Sequence, residues 1–294
     1  MRFGYITMNS ASGIHPAPLA KELEARGFES MWVPEHTHIP TSRRSPFVGG
    51  GDLPTGYLHM MSPFVSLAAA SAVTERLLLG TAVALLLEHD LVDLATQTAT
   101  LDVISGGRLL LGIGVGWNQE ELFTHRPDLP FRSRYGAARE RIAALRTLWR
   151  DEVAGVEGRW DRVEPSWVYP KPVNGTIPIV SGSWGELALR HAAADADHWM
   201  PVDRLLVDAE GRPDVAGGVE RFRRMVAEEG RDPDTVPVSL VLFARPTPAR
   251  VERYTALGIE RMVISAPTGE LVDEDFTRRD LDSVMDVVQE YGEP

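Results

Sequence analysis

Short apolar runs alternate along the chain with stretches whose apolar residues recur at helical spacing. Residues 3–8 read as a buried strand. Residues 16–26 place Leu19, Ala20 and Leu23 on one helical face, and Gly27 follows as a stop signal. Residues 28–33 predict a second strand. Ser62 as N-cap and Pro63 in the first turn open a helix that runs through Phe64, Leu67, Ala68 and Ala72 to about Thr74. Residues 77–86 are almost continuously apolar, as a strand buried on both faces should be. A helix over 90–104, a fourth strand over 108–112 and a long helix over 133–150 follow, the last with Ala138, Ile142, Leu145 and Leu148 on one side. The second half repeats the theme. Strands are predicted at 177–180, 197–200, 236–243 and 261–265, and helices at 186–194, 219–229, 248–257 and 281–291.

Alternating strands and helices predict a parallel sheet with helical crossovers, either a doubly wound sheet or a barrel. Eight strand–helix units in 294 residues favour a (β/α)8 TIM barrel, which needs about 250 residues. Three segments exceed that need and read as insertions, near 35–61, 151–176 and 201–215. No linker divides the chain, so one barrel domain over 1–294 is expected. The 35–61 segment is rich in Pro, Gly, Ser and Arg and contains Gly49-Gly50-Gly51. Loops of that length in compact domains are usually functional or disordered.

Composition narrows the chemistry. The net charge of -12 argues against nucleic acid and anionic membranes as partners. The absence of cysteine excludes disulfides, thiolate metal sites, iron–sulfur clusters and cysteine nucleophiles. Of the 30 basic residues only Lys21 and Lys171 are lysine, which leaves few groups for Schiff-base chemistry. The N-terminal residues lack the apolar core of a signal peptide. No apolar run approaches the roughly 20 residues that span a bilayer. A cytoplasmic protein with a small-molecule substrate is expected.

In such a barrel the site lies at the carboxyl ends of the strands. Strand two delivers Trp32-Val33-Pro34-Glu35-His36-Thr37-His38, a carboxylate and two imidazoles, and histidine exchanges protons near neutral pH. His36 and His38 alternate on an extended segment, so both can face one metal ion, as in barrel hydrolases. The remaining histidines, His15, His59, His89, His125, His191 and His198, mostly fall in predicted helices or remote loops. After strand four, Gly112-Ile113-Gly114-Val115-Gly116 offers bare backbone to a flat ligand. It is not the dinucleotide fingerprint, because the first strand–helix turn, Asn9 to Gly13, lacks that pattern. Trp117 can line a ring pocket or simply pack under the loop. Ser181-Gly182-Ser183-Trp184-Gly185 precedes a helix, where free N–H groups suit a phosphate. An N-cap by Ser183 explains the same residues. Residues 80–83, with Glu88 and His89 beyond, stand out for nothing in the sequence itself.

Nearly the whole chain resembles the luciferase-like monooxygenase superfamily, most of all its branch of oxidoreductases that use the deazaflavin coenzyme F420. The resemblance rests on residues 32–40, 63–86 and 99–118, on 167–172 with its Tyr169-Pro170-Lys171-Pro172, and on Ala196-Asp197-His198-Trp199-Met200. It implies a (β/α)8 barrel with insertions, usually a homodimer. It implies that Glu35 and His36 are the acid–histidine pair after strand two, His36 touching substrate or the reactive ring carbon. Ala82-Val83 would form a non-prolyl cis peptide behind the ring. Gly114, Val115, Gly116 and Trp117 would flank the ring, and Ser181, Gly182, Ser183 and Trp184 would hold the cofactor phosphate. His38, Tyr57 and His59 are expected around the substrate, under a cap formed by 39–61 in which Arg43 and Arg44 can meet acid groups. The chain departs from the related sugar-phosphate dehydrogenases at two positions. Pro40 stands where they have a tryptophan, and Trp117 where they have an acid. The expected function is hydride transfer between F420 and a small carbonyl, imine, activated alkene or alcohol. The alternatives are an FMN-dependent monooxygenase on the same scaffold, a non-enzymatic flavin-binding protein and a metal-dependent barrel hydrolase.

Overall fold

The computed structural model describes residues 1–182, 184–266 and 272–293. Its first half comprises β1 (Arg2–Ile6), α1 (Pro16–Ala25), β2 (Ser30–Val33), α2 (Pro63–Ser71), β3 (Leu78–Thr81), β4 (Ala84–Leu85), α3 (Leu91–Ser105), β5 (Leu109–Gly114), α4 (Gln119–His125) and α5 (Arg134–Arg150). Then come β6 (Ala154–Glu157), β7 (Arg162–Ser166), β8 (Ile179–Ser181), α6 (Glu186–Asp195), β9 (His198–Trp199) and α7 (Val215–Glu228). The chain ends with β10 (Ser239–Leu242), α8 (Pro248–Ala256), β11 (Arg261–Ser265), α9 (Glu274–Asp282) and α10 (Met285–Tyr291).

The strands pair in the order β10–β11–β1–β2–β3–β5–β8–β9, every pair parallel, with β4 also on β5. Bridges from Trp199 to Val238 and from Val202 to Val241 bring the last strand back to β10. The sheet is thereby nearly closed, as a (β/α)8 barrel. Among the described residues no helix is long and apolar enough to cross a membrane.

Period-two alternation decides what faces inward. Met31 and Val33 of β2 point out to the helices and join the large apolar layer there, whereas Trp32 points in. The Trp32 indole is fully buried among Leu110, Val180, Met200, Val241 and Val263, and Ala82 and Val83 pack against this group. Its Nε1 donates to Ser30 Oγ at 2.9 Å. Two neighbouring strands make room by carrying glycine. A Cβ on Gly80 would lie 2.1 Å from the indole, and one on Gly4 would lie 2.9 Å from Nε1. Towards the amino ends of the strands, the buried Arg261 donates to both oxygens of Glu29 at 2.5 Å and to Ser239 Oγ at 2.8 Å. A guanidinium so placed is tolerable only because it is paired.

Several elements differ from the sequence expectation. The third strand does not run unbroken over 77–86; it breaks at a cis Ala82–Val83 bond and resumes as β4. Ser62 occupies the N-cap position of α2, but its hydroxyl makes no capping bond, and the helix starts on Pro63. Helix α7 begins ahead of 219, because Asp214 accepts from Gly217 N at 2.9 Å and so starts a helix through a Gly-Gly pair. The predicted closing helix over 281–291 begins later, as α10, and its first two residues end a separate helix, α9, that was not expected. The 151–176 segment carries an antiparallel hairpin, β6–β7, and α4 was not foreseen at all.

Replacing Gly80 by alanine forces a methyl group into the Trp32 ring and is expected to cost about 1–3 kcal/mol. Gly136, which sits in α5 with open space beside it, is the control. There alanine is expected to add about 0.4–1 kcal/mol. Urea unfolding of the two variants checks both signs.

Candidate active site

After β2, Pro34 has no N–H to continue the ladder, and the next two side chains part company. Glu35 is buried: its Oε2 accepts from Leu85 N at 2.6 Å, and both oxygens lie 3.0 Å from His89 Nε2. It therefore fastens the loop after β4 to the end of β2. Glu35 and His36, the acid and histidine matched by the family resemblance, turn to different partners. His36 instead places Nδ1 2.6 Å from Glu121 Oε2. The His36 ring is flanked by Trp117 at 5.6 Å and Tyr57 at 5.5 Å between centroids.

Glu121 comes from the first turn of α4. Asn118 caps that helix, its side-chain oxygen accepting from Glu121 N at 3.4 Å. In a capping box the acid at this position turns back on its own helix. Here the fully buried Glu121 reaches across to the loop after β2 and accepts from Thr37 N at 2.9 Å and His38 N at 3.4 Å. The positive end of α4 favours its charge. When Glu121 is ionised it can only accept, so His36 Nδ1 carries the hydrogen. Nε2 is then the nitrogen that takes up or releases a proton.

Thr37 sits at the centre of a second group. Its hydroxyl lies 2.7 Å from His125 Nε2, 3.0 Å from His38 Nδ1, and 3.4 Å from both Glu121 Oε1 and Glu88 Oε2. Glu88 is buried, and its Oε1 has no hydrogen-bond partner among the described residues. Burial, together with the neighbouring Glu121 and Glu35, pushes the Glu88 carboxyl up to about 9. Burial and the adjacent His38 hold His125 below the ordinary histidine range. His89 and His125, which the sequence suggested lie in helices or remote loops, thus both join this cluster.

His36 and His38 do not converge. His38 turns its Nε2 to Thr124 Oγ1 at 3.2 Å and its ring to His125. Among the described residues no group of three or more His, Cys, Asp or Glu is arranged to hold a metal ion. The metal-hydrolase reading loses its ligand pair.

The carboxyl ends of β3, β5 and β8 form a shelf beside these groups. The Val83 side chain is wedged between two glycines. A Cβ on Gly114 would meet its Cγ2 at 2.4 Å, and one on Gly182 its Cγ1 at 2.6 Å. Gly116 follows with φ of 71°, and a Cβ there would lie 3.4 Å from Glu88 Oε1. Val115 packs against the outer apolar layer, and Ser181 is buried at the end of β8. Trp184 is exposed, and Ser183 lies outside the described residues. The N-cap position of α6 is Gly185, with φ of 85° and no side-chain cap, and the expected serine cap falls on Ser183, outside the described residues.

The 39–61 segment covers the other side. Phe47 packs on Tyr57 at 5.2 Å and on Trp117 at 5.9 Å, and the Arg43 guanidinium lies 5.7 Å from the Trp117 ring. The His36 side chain is only 6% exposed beneath this cover. Arg44 is exposed and bonds Glu120, and His59 is exposed at the end of a short turn. From outside the barrel, the buried Arg141 donates to the carbonyls of Leu86 at 3.0 Å and His89 at 2.6 Å, and to Asp161 at the tip of the β6–β7 hairpin. Between hairpin and loop opens a cleft of about 400 Å³ whose lining includes Glu88, His89, His125 and Trp160.

The sequence thus pointed to His36, Trp117 and Tyr57, which do meet. It missed Glu88, His89, Glu121 and His125. The Asn118-x-x-Glu121 spacing after the glycine run was the one local signal for α4 and its acid.

Comparison with known proteins places the fold in a family. The profile of the family described as luciferase-like monooxygenase matches residues 1–290. An uncharacterized protein of Mycobacterium tuberculosis strain H37Rv is 38% identical over 271 residues, covering 91% of this chain and 92% of its own. An F420-dependent glucose-6-phosphate dehydrogenase of Nakamurella multipartita is 28% identical over 241 residues, 78% of this chain and 65% of that relative. Among solved structures, the monooxygenase RslO1 from Streptomyces bottropensis superposes with a TM-score of 0.76 at 17% identity, covering 99% of this chain and 98% of that one. An F420-dependent secondary alcohol dehydrogenase superposes with a TM-score of 0.71 at 16% identity, covering 99% and 97%. The nearly closed parallel barrel and the match along almost the whole sequence lead to one conclusion: the chain belongs to the luciferase-like monooxygenase family.

Proposed function

We propose that the protein is an oxidoreductase that uses coenzyme F420 to move a hydride to or from a small organic substrate. His36 exchanges the accompanying proton. The observation that carries this reading is the anchoring of His36 Nδ1 on Glu121, which leaves Nε2 for proton exchange at the barrel mouth. The residues present fit a flat cofactor. Gly114 and Gly182 contribute bare backbone on either side of Val83, and a buried carboxyl oxygen of Glu88 without a partner lies under Gly116.

When bound, the reduced deazaflavin supplies a hydride from C5, and that chemistry belongs to the cofactor. The chain's own residues position the partners and exclude water. Ala82, Val83, Gly114, Val115 and Gly116 form the shelf for the ring. Ser181, Gly182 and Trp184, at the carboxyl end of β8, take the phosphate end. Trp117 and Tyr57 hold the His36 ring from two sides, so its Nε2 keeps one direction. Phe47 and Tyr57 close the substrate space. His38 and His59, turned elsewhere, stay outside it. Glu35 acts on the site through His89 and the backbone at Leu85 rather than on substrate.

The F420-dependent dehydrogenases among the relatives support the deazaflavin over FMN. The family description and the likeness to a monooxygenase favour the second reading, an FMN-dependent monooxygenase. Titration of purified, cofactor-free protein with each compound separates them. F420 is expected to bind more tightly, and turnover is expected not to need oxygen. Tighter FMN binding with oxygen-dependent turnover would establish the second reading.

His36→Ala is expected to lower kcat by about 100-fold or more while the cofactor Kd changes only a few-fold. Steady-state kinetics and a binding titration read the two effects. An unaltered kcat would remove His36 from the mechanism.

A further inference from the structure

Three carboxyl groups are buried together beside His36: Glu35, Glu88 and Glu121. Two of them are well supplied with donors. Glu35 receives the Leu85 N–H and faces His89, and Glu121 receives the Thr37 N–H, faces His36 and lies in the first turn of a helix. Glu88 has the Thr37 hydroxyl 3.4 Å from Oε2 and nothing on Oε1. The charged and titratable groups around it come from four elements. Glu35, His36 and His38 lie on the loop after β2, Glu121 and His125 on α4, His89 on its own loop, and Arg141 on α5. Arg141 is engaged with two backbone carbonyls and Asp161, and His125 Nε2 stays 3.9 Å from Glu88 Oε2. Among the described residues no ion pair to Glu88 is shorter than that. Three anions in one dry cluster are unfavourable, and the carboxyl with the fewest donors is the one that keeps a proton.

A neutral Glu88 is a donor rather than a repelling charge. Glu88 Oε2 and Glu121 Oε1 meet at the Thr37 hydroxyl, and a carboxyl–carboxyl contact between the two acids adds to the upward pull on Glu88. We propose that Glu88 is a positioning residue for His36: it remains a neutral carboxylic acid, donates a hydrogen bond to Glu121, and keeps Glu121 the anion that orients His36 Nδ1–H. His125, 2.7 Å from the Thr37 hydroxyl and lining the cleft, connects the cluster to solvent. This assignment rests on the reading of His36 as the proton-exchanging group, but it can be tested without turnover.

The first test uses cofactor-free protein. An infrared spectrum at pH 7 is expected to show a buried carboxylic-acid carbonyl band that Glu88→Gln removes. Thermal unfolding gives the second readout. Because folding raises this carboxyl from 4.5 to about 9, the stability it permits is fully present below about 4.5 and is lost as pH climbs towards about 9. The Tm of Glu88→Gln, which cannot ionise, is expected to gain several degrees on wild type between pH 5 and pH 9. The third readout is nitrogen-15 NMR of His36. Wild type is expected in the Nδ1–H form, and Glu88→Ala is expected to raise the Nε2–H form, with Glu88→Gln in between. A missing acid band, a Tm gap that is the same at pH 5 and pH 9, or a His36 tautomer indifferent to Glu88→Ala would overturn the assignment. A silent His36→Ala with all three readouts as expected would instead refute the catalytic reading of His36 and leave the Glu88 array standing.

Discussion

The Trp32 indole is the object around which this barrel is built. It fills the interior just below the mouth, and nothing larger than a glycine hydrogen is tolerated beside it at positions 4 and 80. Its burial contributes on the order of 2–3 kcal/mol, and its shape fixes how closely β1 and β3 approach β2. Ala82 and Val83 rest on the same interior group, so the shelf at the mouth stands on the indole rather than on a flexible loop. The proposed cofactor floor is therefore rigid because the barrel beneath it is solid.

Above that plug, the site is tied together by polar contacts between segments far apart in sequence. Glu35 ties the end of β2 to the β4–α3 loop, Glu121 ties α4 to the residues after β2, and Thr37 joins both to His125. The Glu35 contact is buried, the His36–Glu121 contact is partly so, and withdrawing one partner from either would leave an unsatisfied group, at about 1–3 kcal/mol or more for a charged one. The loops at the mouth are long, yet the part that meets His36 is held as firmly as a core.

Most strands and helices were legible in the sequence because burial writes a period of two or 3.6 into the residue order. β11 matches its predicted span of 261–265, and α1 and α5 match theirs to within a residue or so. What escaped was of two kinds. Helix α7 starts at Val215 and runs through Gly217-Gly218, where local propensity argues for a break and a single Asp214 cap overrides it. The acid cluster escaped because its members come from two loops and the first turn of α4, and no spacing along the chain encodes a meeting across a barrel mouth. Glu35 shows the limit well. Glu35 and His36 leave the strand side by side but diverge, and the partner of the imidazole lies 85 residues on.

The hairpin of β6 and β7 is outside the barrel, yet its tip holds Asp161 against a guanidinium that is almost wholly enclosed. If the hairpin swung away, Arg141 would be an enclosed cation with no counter-ion, a state that costs several kcal/mol. Its other hydrogen bonds end on the backbone that carries Glu88 and His89. An appendage and an inner loop are thereby geared together: neither can shift without dragging the other, so even a remote insertion inherits the stiffness of the chemistry it borders.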